Sequence, residues 1–176
     1  MKADRRAALD FVIDRLTNSI QNTISGDSFA TEVLRLTKAD LKTITKKAGW
    51  NFDWKSELAY NSRDVYKLTI VNNLNIIQGL LSLSIEPDHV YMHLVENAPF
   101  NLGKNKLYEG VAGNLVAYCC KVAFQHGFDG FVSFTSKTKL IAHYQNTLGA
   151  YVLSGQRMII PTASAQALVD KYFKES

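Results

Sequence analysis

The sequence predicts a mixed α/β (α+β) fold, a largely antiparallel sheet with one central parallel strand pair and helices on both faces. Three observations predict it. Between Tyr66 and Val95, three apolar segments are joined by short polar turns, the pattern of an antiparallel meander. A helical stripe, a nearly continuous apolar run at Gly130–Thr135 and a second helical stripe follow, so the chain crosses over between strands of one sheet. A right-handed crossover then lays strand 130–135 parallel to strand 90–95.

The elements follow in chain order. Residues 3–21 read as a helix, because Leu9, Val12, Ile13, Leu16 and Ile20 recur at helical spacing. Ser25-Gly26-Asp27-Ser28 breaks it, and Phe29–Leu36 is a short extended segment. Thr37 has the character of an N-cap, with Asp40 near the helix N-terminus, Leu41, Ile44 and Ala48 facing inward and Gly49 closing the helix. Trp50, Phe52 and Trp54 alternate, which fits a strand or an aromatic lid over the core, and Asn61–Asp64 is a polar linker.

Strand Tyr66–Val71 turns at Asn72-Asn73 into strand Ile76–Ile85, which Gly79 interrupts, and Glu86-Pro87-Asp88 leads into strand Val90–Val95. The Gly/Asn/Lys-rich loop Asn97–Lys106 precedes helix Gly110–His126, whose inward stripe is Val111, Leu115, Tyr118/Cys119 and Val122. After Gly127 comes the buried strand 130–135, then helix Lys137–Leu148 with Leu140, Ile141, Tyr144 and Leu148 inside. Ala150–Leu153 and Arg157–Ile160 pair as a hairpin, and the last helix, Thr162–Phe173, follows Pro161.

Length and composition bound the function. The 176 residues fit a single domain (1–176), with an N-terminal helical and aromatic part (1–60), a core (65–160) and a C-terminal helix (162–173). With 47% hydrophobic and 20% charged residues, the chain has the composition of a globular protein rather than a disordered one. No stretch approaches the roughly 18 apolar residues of a membrane span, and the charged N-terminus lacks the apolar core of a signal peptide. A cytoplasmic protein with no membrane partner is expected. Cys119 and Cys120 are adjacent, a spacing that suits neither a disulfide loop nor a zinc site, so no metal is expected. The net charge of +4 suits an anionic ligand. Lys38, Lys42 and Lys46, with Lys47, form a basic stripe that is a solvated face or a nucleic-acid contact, and it is too short to argue for nucleic acid.

The stretch richest in chemistry is Gly110-Val111-Ala112-Gly113-Asn114-Leu115, which opens a helix. Small residues there let a phosphate approach free N–H groups, or simply pack the helix close to the sheet. The dinucleotide pattern G-x-G-x-x-G is not met, and no Walker, G-x-S-x-G, H-E-x-x-H or kinase motif occurs.

This order of elements and motifs resembles the GNAT superfamily of acetyl-CoA-dependent N-acetyltransferases. Gly110-Val111-Ala112 supplies the family's G-x-G/A, Leu115 its following apolar residue, and Tyr144 and Gly149 its later Tyr and Gly. The resemblance covers Val65–Ile160, and the run KTKLIAHYQNTLGAYVLSGQRMII looks like small bacterial members. Leu107 stands where the family carries Arg or Gln, and Tyr144 lies one residue further from Gly149 than is common.

The resemblance implies acetyl-CoA as co-substrate, no metal, and direct acetyl transfer to the amine of a small-molecule or peptide acceptor; it leaves a homodimer open. Leu94 and Val95 would offer strand edge to the pantetheine arm, and the N–H groups of Gly110, Val111, Ala112, Gly113 and Asn114 would hold the pyrophosphate, helped by Lys104 and Lys106. Tyr144 is the candidate general acid, or else a core aromatic. Glu96 is the candidate base, or else a carboxylate that is solvated or paired with Lys104 or Lys106. His93 reads as structural, Lys137 and Lys139 are candidates for the ribose phosphate, and His143 is a weaker site candidate. The loop 97–109 suggests a remodelled acceptor entrance, and Trp50, Phe52 and Trp54 line the acceptor pocket or pack the core. Cys119 and Cys120 face inward and make poor nucleophiles. Two rivals are a noncatalytic protein of the same fold that binds acyl-CoA or a partner, and a basic nucleic-acid-binding module.

Overall fold

The structure is a computed structural model that describes residues 6–173. Its elements are β1 (Ile20–Asn22), β2 (Ser28–Phe29), β3 (Thr31–Arg35), α1 (Trp54–Ala59), β4 (Asp64–Ile70), β5 (Gly79–Ile85), β6 (Val90–Asn97), β7 (Tyr108–Glu109), α2 (Val111–Gln125), β8 (Val132–Thr135), α3 (Ile141–Leu148), β9 (Tyr151–Ser154), β10 (Arg157–Ile160) and α4 (Thr162–Phe173). Seven strands form the main sheet in the order β3-β4-β5-β6-β8-β10-β9, and a small sheet pairs β2, β1 and β7. Every pairing in the main sheet is antiparallel except that of β6 with β8.

From β4 onward the observed elements follow the predicted order apart from the short β7, which falls in the expected loop 97–109 and pairs with β1, because short turns and strong periodicity leave few alternatives. Both alternating sets of residues in β5 and β6 are buried, so this part of the sheet is covered on both faces. Gly79 is required where α2 crosses β5: a Cβ there would sit 2.9 Å from Val111 Cγ1 and 3.0 Å from Leu115 Cδ1. Among the described residues, no helix is long and apolar enough to cross a membrane.

The N-terminal part departs from expectation. Residues 3–5 of the predicted helix 3–21 lie outside the described residues, and the remainder is not helical. Leu9, Phe11 and Ile13 also alternate, and the extended form they allow is the one realised. The Leu9 N–H donates to the Thr135 carbonyl (2.7 Å) and the Lys137 N–H to the Leu9 carbonyl (3.0 Å), so the free end of β8 outbids helix propensity. Leu9 and Ile13 join the core, while Val12 is 56% exposed.

The predicted helix 37–49 is a 3₁₀ turn, Ala39–Lys42, followed by further turns. Its threonines satisfy the backbone locally: Thr43 Oγ1 donates to the Asp40 carbonyl and Thr45 Oγ1 accepts from the Ala48 N–H. The lysines read as a helical stripe are exposed on these turns and share no helix face. The alternation of Trp50, Phe52 and Trp54 is neither strand nor lid. Trp50 and Trp54 are core packing, and Trp54 opens α1, whose N-cap Asp53 accepts from the Ser56 N–H (3.1 Å).

Candidate functional site

The site begins with the strand pair that parts. β6 and β8 pair at Val90↔Val132 and Tyr91↔Ser133, after which β6 runs on to Asn97 with no strand paired to that side among the described residues. A register shift against β5 leaves His93 as a bulged residue between Met92 and Leu94, and a bulge adds the local twist that turns one strand from another. His93 is buried, meets the Tyr91 ring edge-on at 4.8 Å and shares a 2.8 Å hydrogen bond with Ser84 Oγ.

Along the parted half of β6 lies a cavity of about 410 Å³, lined by Val95, Glu96 and Asn97, by Asn51 and Phe52, by Asn101–Gly103 and Lys106, and by Asp10–Val12 with Asp14. The loop after β6 is held in shape by buried Asn101, whose amide donates to the Gln78 carbonyl and to Gln78 Oε1 and whose Oδ1 accepts from the Tyr108 N–H. Phe52, 40% exposed, faces this cavity.

Residues 9–17 cross the cleft between β8 and this cavity as an extended strap. Leu9 is bonded to the end of β8. The Phe11 carbonyl accepts from the Tyr144 hydroxyl (2.5 Å), and the Ile13 N–H donates to His143 Nε2 (2.9 Å). Asp14 reaches the head of α2: its Oδ1 accepts from the Gly110 N–H (3.2 Å) and its Oδ2 from Lys106 Nζ (3.0 Å). The Thr17 N–H donates to the Tyr172 hydroxyl (3.2 Å). Gly110 adopts φ +85°, and a Cβ there would collide with Thr17 Oγ1 at 1.9 Å, so strap and helix head meet as closely as glycine allows.

The predicted residues fall into three groups. Gly110, Val111, Ala112, Gly113 and Asn114 do open a helix beside the cleft, but its head is covered by Asp14, Thr17 and, over Gly113, Leu16 and Tyr172. Asn114 faces β3 instead, where its Oδ1 accepts from Thr31 Oγ1 (2.9 Å). Lys106 joins the site through Asp14, while Lys104 is exposed on the loop and Leu94 and Val95 are buried in β6.

Glu96 is buried, and its carboxylate accepts from the Asn51 N–H (2.7 Å), the Phe52 N–H (3.4 Å) and Trp54 Nε1 (2.8 Å) rather than pairing with Lys104 or Lys106. Tyr144 is fully buried, with its ring 4.9 Å from that of Phe11 and edge-on to Phe134 at 5.2 Å. Burial first, and the charge of Asp10 second, push its hydroxyl well above the ordinary phenol range. Lys137 pairs with Asp10 (2.7 Å), and Lys139 is exposed. Cys119 and Cys120 are buried, and burial raises both thiols, which disfavours the thiolate that a nucleophile needs.

Sequence reasoning missed Asp10, Phe11 and Asp14, all assigned to a helix, and Asn101. The alternation of Leu9, Phe11 and Ile13 with the intervening aspartates was the signal available.

The donor set at the head of α2, a backbone N–H and an ammonium, is that of an anion site, and it holds a carboxylate. Among the described residues, no group of His, Cys, Asp and Glu could hold a metal ion.

No protein-family model matches the sequence, and no curated protein sequence matches it significantly. Solved structures do. A mutant of the toxin AtaT, bound to the C-terminus of the antitoxin AtaR and acetyl-CoA, aligns with a TM-score of 0.54 at 16% identity, over 78% of this chain and 97% of that one. The ribosomal-protein-S18-alanine N-acetyltransferase of Escherichia coli gives 0.50 at 14% identity, over 75% and 94%. The spermidine/spermine N-acetyltransferase SpeG of Vibrio cholerae gives 0.50 at 13%, over 78% and 96%. The chain has the fold of the GNAT N-acetyltransferases.

Proposed function

We propose that the chain is an acetyl-CoA-dependent N-acetyltransferase that passes acetyl directly to the amine of a small molecule or peptide. One observation carries the reading: an anion-holding helix head, Gly110 N–H with Lys106, stands beside the cleft where β6 and β8 part. Acetyl-CoA supplies an activated thioester. The open edge at Leu94 and Val95 would pair with its extended arm, and the head of α2 with Lys106, aided by Lys104, would take its phosphates. Tyr144 Oη is the proton donor to the departing thiolate; as a phenol it is protonated at neutral pH, and the burial that raises its pKa holds that proton more tightly. Glu96 borders the cavity through which the amine would enter and is the proposed base, acting directly or through water.

The test is thiol release from acetyl-CoA across a panel of amines and peptides, with calorimetric titration of acetyl-CoA in parallel. Saturable binding and amine-dependent release are expected, with Tyr144→Phe retaining binding while turnover falls roughly 10²-fold or more. Absence of both binding and release would overturn the reading, and unchanged turnover in Tyr144→Phe would remove that residue from the mechanism.

A second reading, a noncatalytic protein on this fold, is favoured by Glu96, whose oxygens are engaged by three N–H donors that hold the Asn51–Trp54 segment. Binding of acetyl-CoA with no release for any acceptor would select it.

A further inference from the structure

The strap occupies the groups that the proposed reading needs for its donor. The Tyr144 hydroxyl donates its hydrogen bond to the Phe11 carbonyl, and the Gly110 N–H and Lys106 donate theirs to the Asp14 carboxylate. A backbone carbonyl thus faces the proposed acid, and one negative charge sits where the phosphates would. We propose that residues Leu9–Asp14 are a built-in occupant of the donor cleft, an autoinhibitory strap latched by Asp14, and that acyl-CoA binds only when it leaves; this rests on the reading above.

The strap is held by side chains more than by sheet pairing. Among the described residues, only Leu9 of residues 9–19 bonds backbone to backbone with the rest of the main sheet. Side-chain hydrogen bonds tie Phe11 to Tyr144, Ile13 to His143, Asp14 to Lys106 and the Gly110 N–H, and Thr17 to Tyr172; Asp10 pairs with Lys137, and Leu9, Ile13 and the Phe11 ring pack into the core. Towards β6 the strap faces the cavity rather than a partner strand. Asp14 is the one residue that spends both carboxylate oxygens on the helix head and its lysine, and charge-assisted bonds are stronger than the neutral ones beside them. Strap and phosphate would therefore compete for the same donors, and the apparent affinity for acyl-CoA would be lowered by the fraction of molecules that are closed.

The experiment uses the full chain as wild type, Asp14→Asn and Asp14→Ala, with calorimetric titration of acetyl-CoA and hydrogen exchange of the Leu9, Ile13 and Thr17 amides. Protection in β5 serves as the check that each variant is folded. Asp14→Ala is expected to bind acetyl-CoA about tenfold tighter than wild type, with Asp14→Asn between them. Acetyl-CoA should speed exchange at Ile13 and Thr17 in the wild type and leave β5 unchanged. Equal affinity in all three proteins, with strap amides still protected when acetyl-CoA is bound, overturns the strap as a gate and leaves the proposed function standing. Unchanged strap protection in Asp14→Ala overturns Asp14 as the latch. If Asp14→Ala releases the strap yet binds no acetyl-CoA, the donor reading itself fails and the gate falls with it.

Discussion

Glu96 shows how much one side chain can fix. Its carboxylate is buried and supplies acceptors to the Asn51 and Phe52 amides and the Trp54 indole, so it sets the path of the chain into α1 and one wall of the cavity. Glu96→Gln replaces one acceptor oxygen by an NH₂ that faces N–H donors, and the donors left unpaired are costly inside the protein. A loss of about 2–3 kcal/mol is expected in urea denaturation; a change within about 0.5 kcal/mol would mean that water already shares these donors. Glu96 was legible as the residue ending strand 90–95, and Tyr144 was singled out by the family resemblance, periodicity alone placing it on an inward helix stripe. Their hydrogen-bond partners, Asn51 and Phe11, come from segments 45 and 133 residues away in the chain, a separation that no local pattern encodes.

Local pattern decided the elements wherever it was strong and unopposed. The final helix Thr162–Phe173 and the hairpin strands ending at Ile160 were legible from Pro161 and a short polar turn. Residues 6–21 and 37–49 were not, because their apolar spacing fits two periods or their threonines bond the backbone as readily as a helix does, whereas Phe29–Leu36 was read as extended and holds β3. The 3₁₀ turn Ala39–Lys42 is instead pinned from outside: Asp40 accepts from the Thr37 N–H (2.9 Å) and from Lys67 Nζ on β4 (2.9 Å). Burial opposes ionisation of Asp40, yet these bonds outweigh it and hold its pKa below the ordinary 3.8. A carboxyl with a depressed folded pKa adds stability above its unfolded pKa and loses it as pH falls through the folded one. Wild type should therefore exceed Asp40→Asn by about 1–2 kcal/mol at neutral pH, with the gap closing below pH 3.8. Urea midpoints for the two proteins across that range check this, and a gap that stays constant with pH would show that the charge of Asp40 is not what pins the turn.

At the scale of the whole molecule, α2 is packed between the sheet strands β5, β6 and β8 and helix α4. Cys119 and Cys120 point about 100° apart on a helix, yet both are fully buried, so α2 is enclosed on more than one side, with Val111 and Leu115 against β5 and Gly113 under Tyr172 of α4. Opening such a site loosens the core, whereas the strap, among the described residues, has no backbone pairing beyond Leu9 and rests on side-chain hydrogen bonds and on the burial of Leu9 and Ile13. The two regions should therefore open with different free energies. Alkylation needs an exposed thiolate, and burial both hides these thiols and pushes them above the ordinary 9.0. Iodoacetamide should then label both cysteines together and only through global unfolding, at a rate at least about 10³-fold below that of the unfolded chain. The rate should rise with urea in step with the loss of secondary structure. Asp14→Ala, which frees the strap, should leave that labelling nearly unchanged. Fast labelling of either cysteine in that variant would mean that strap and α2 open as one unit, and that the cleft cannot be vacated without loosening the core.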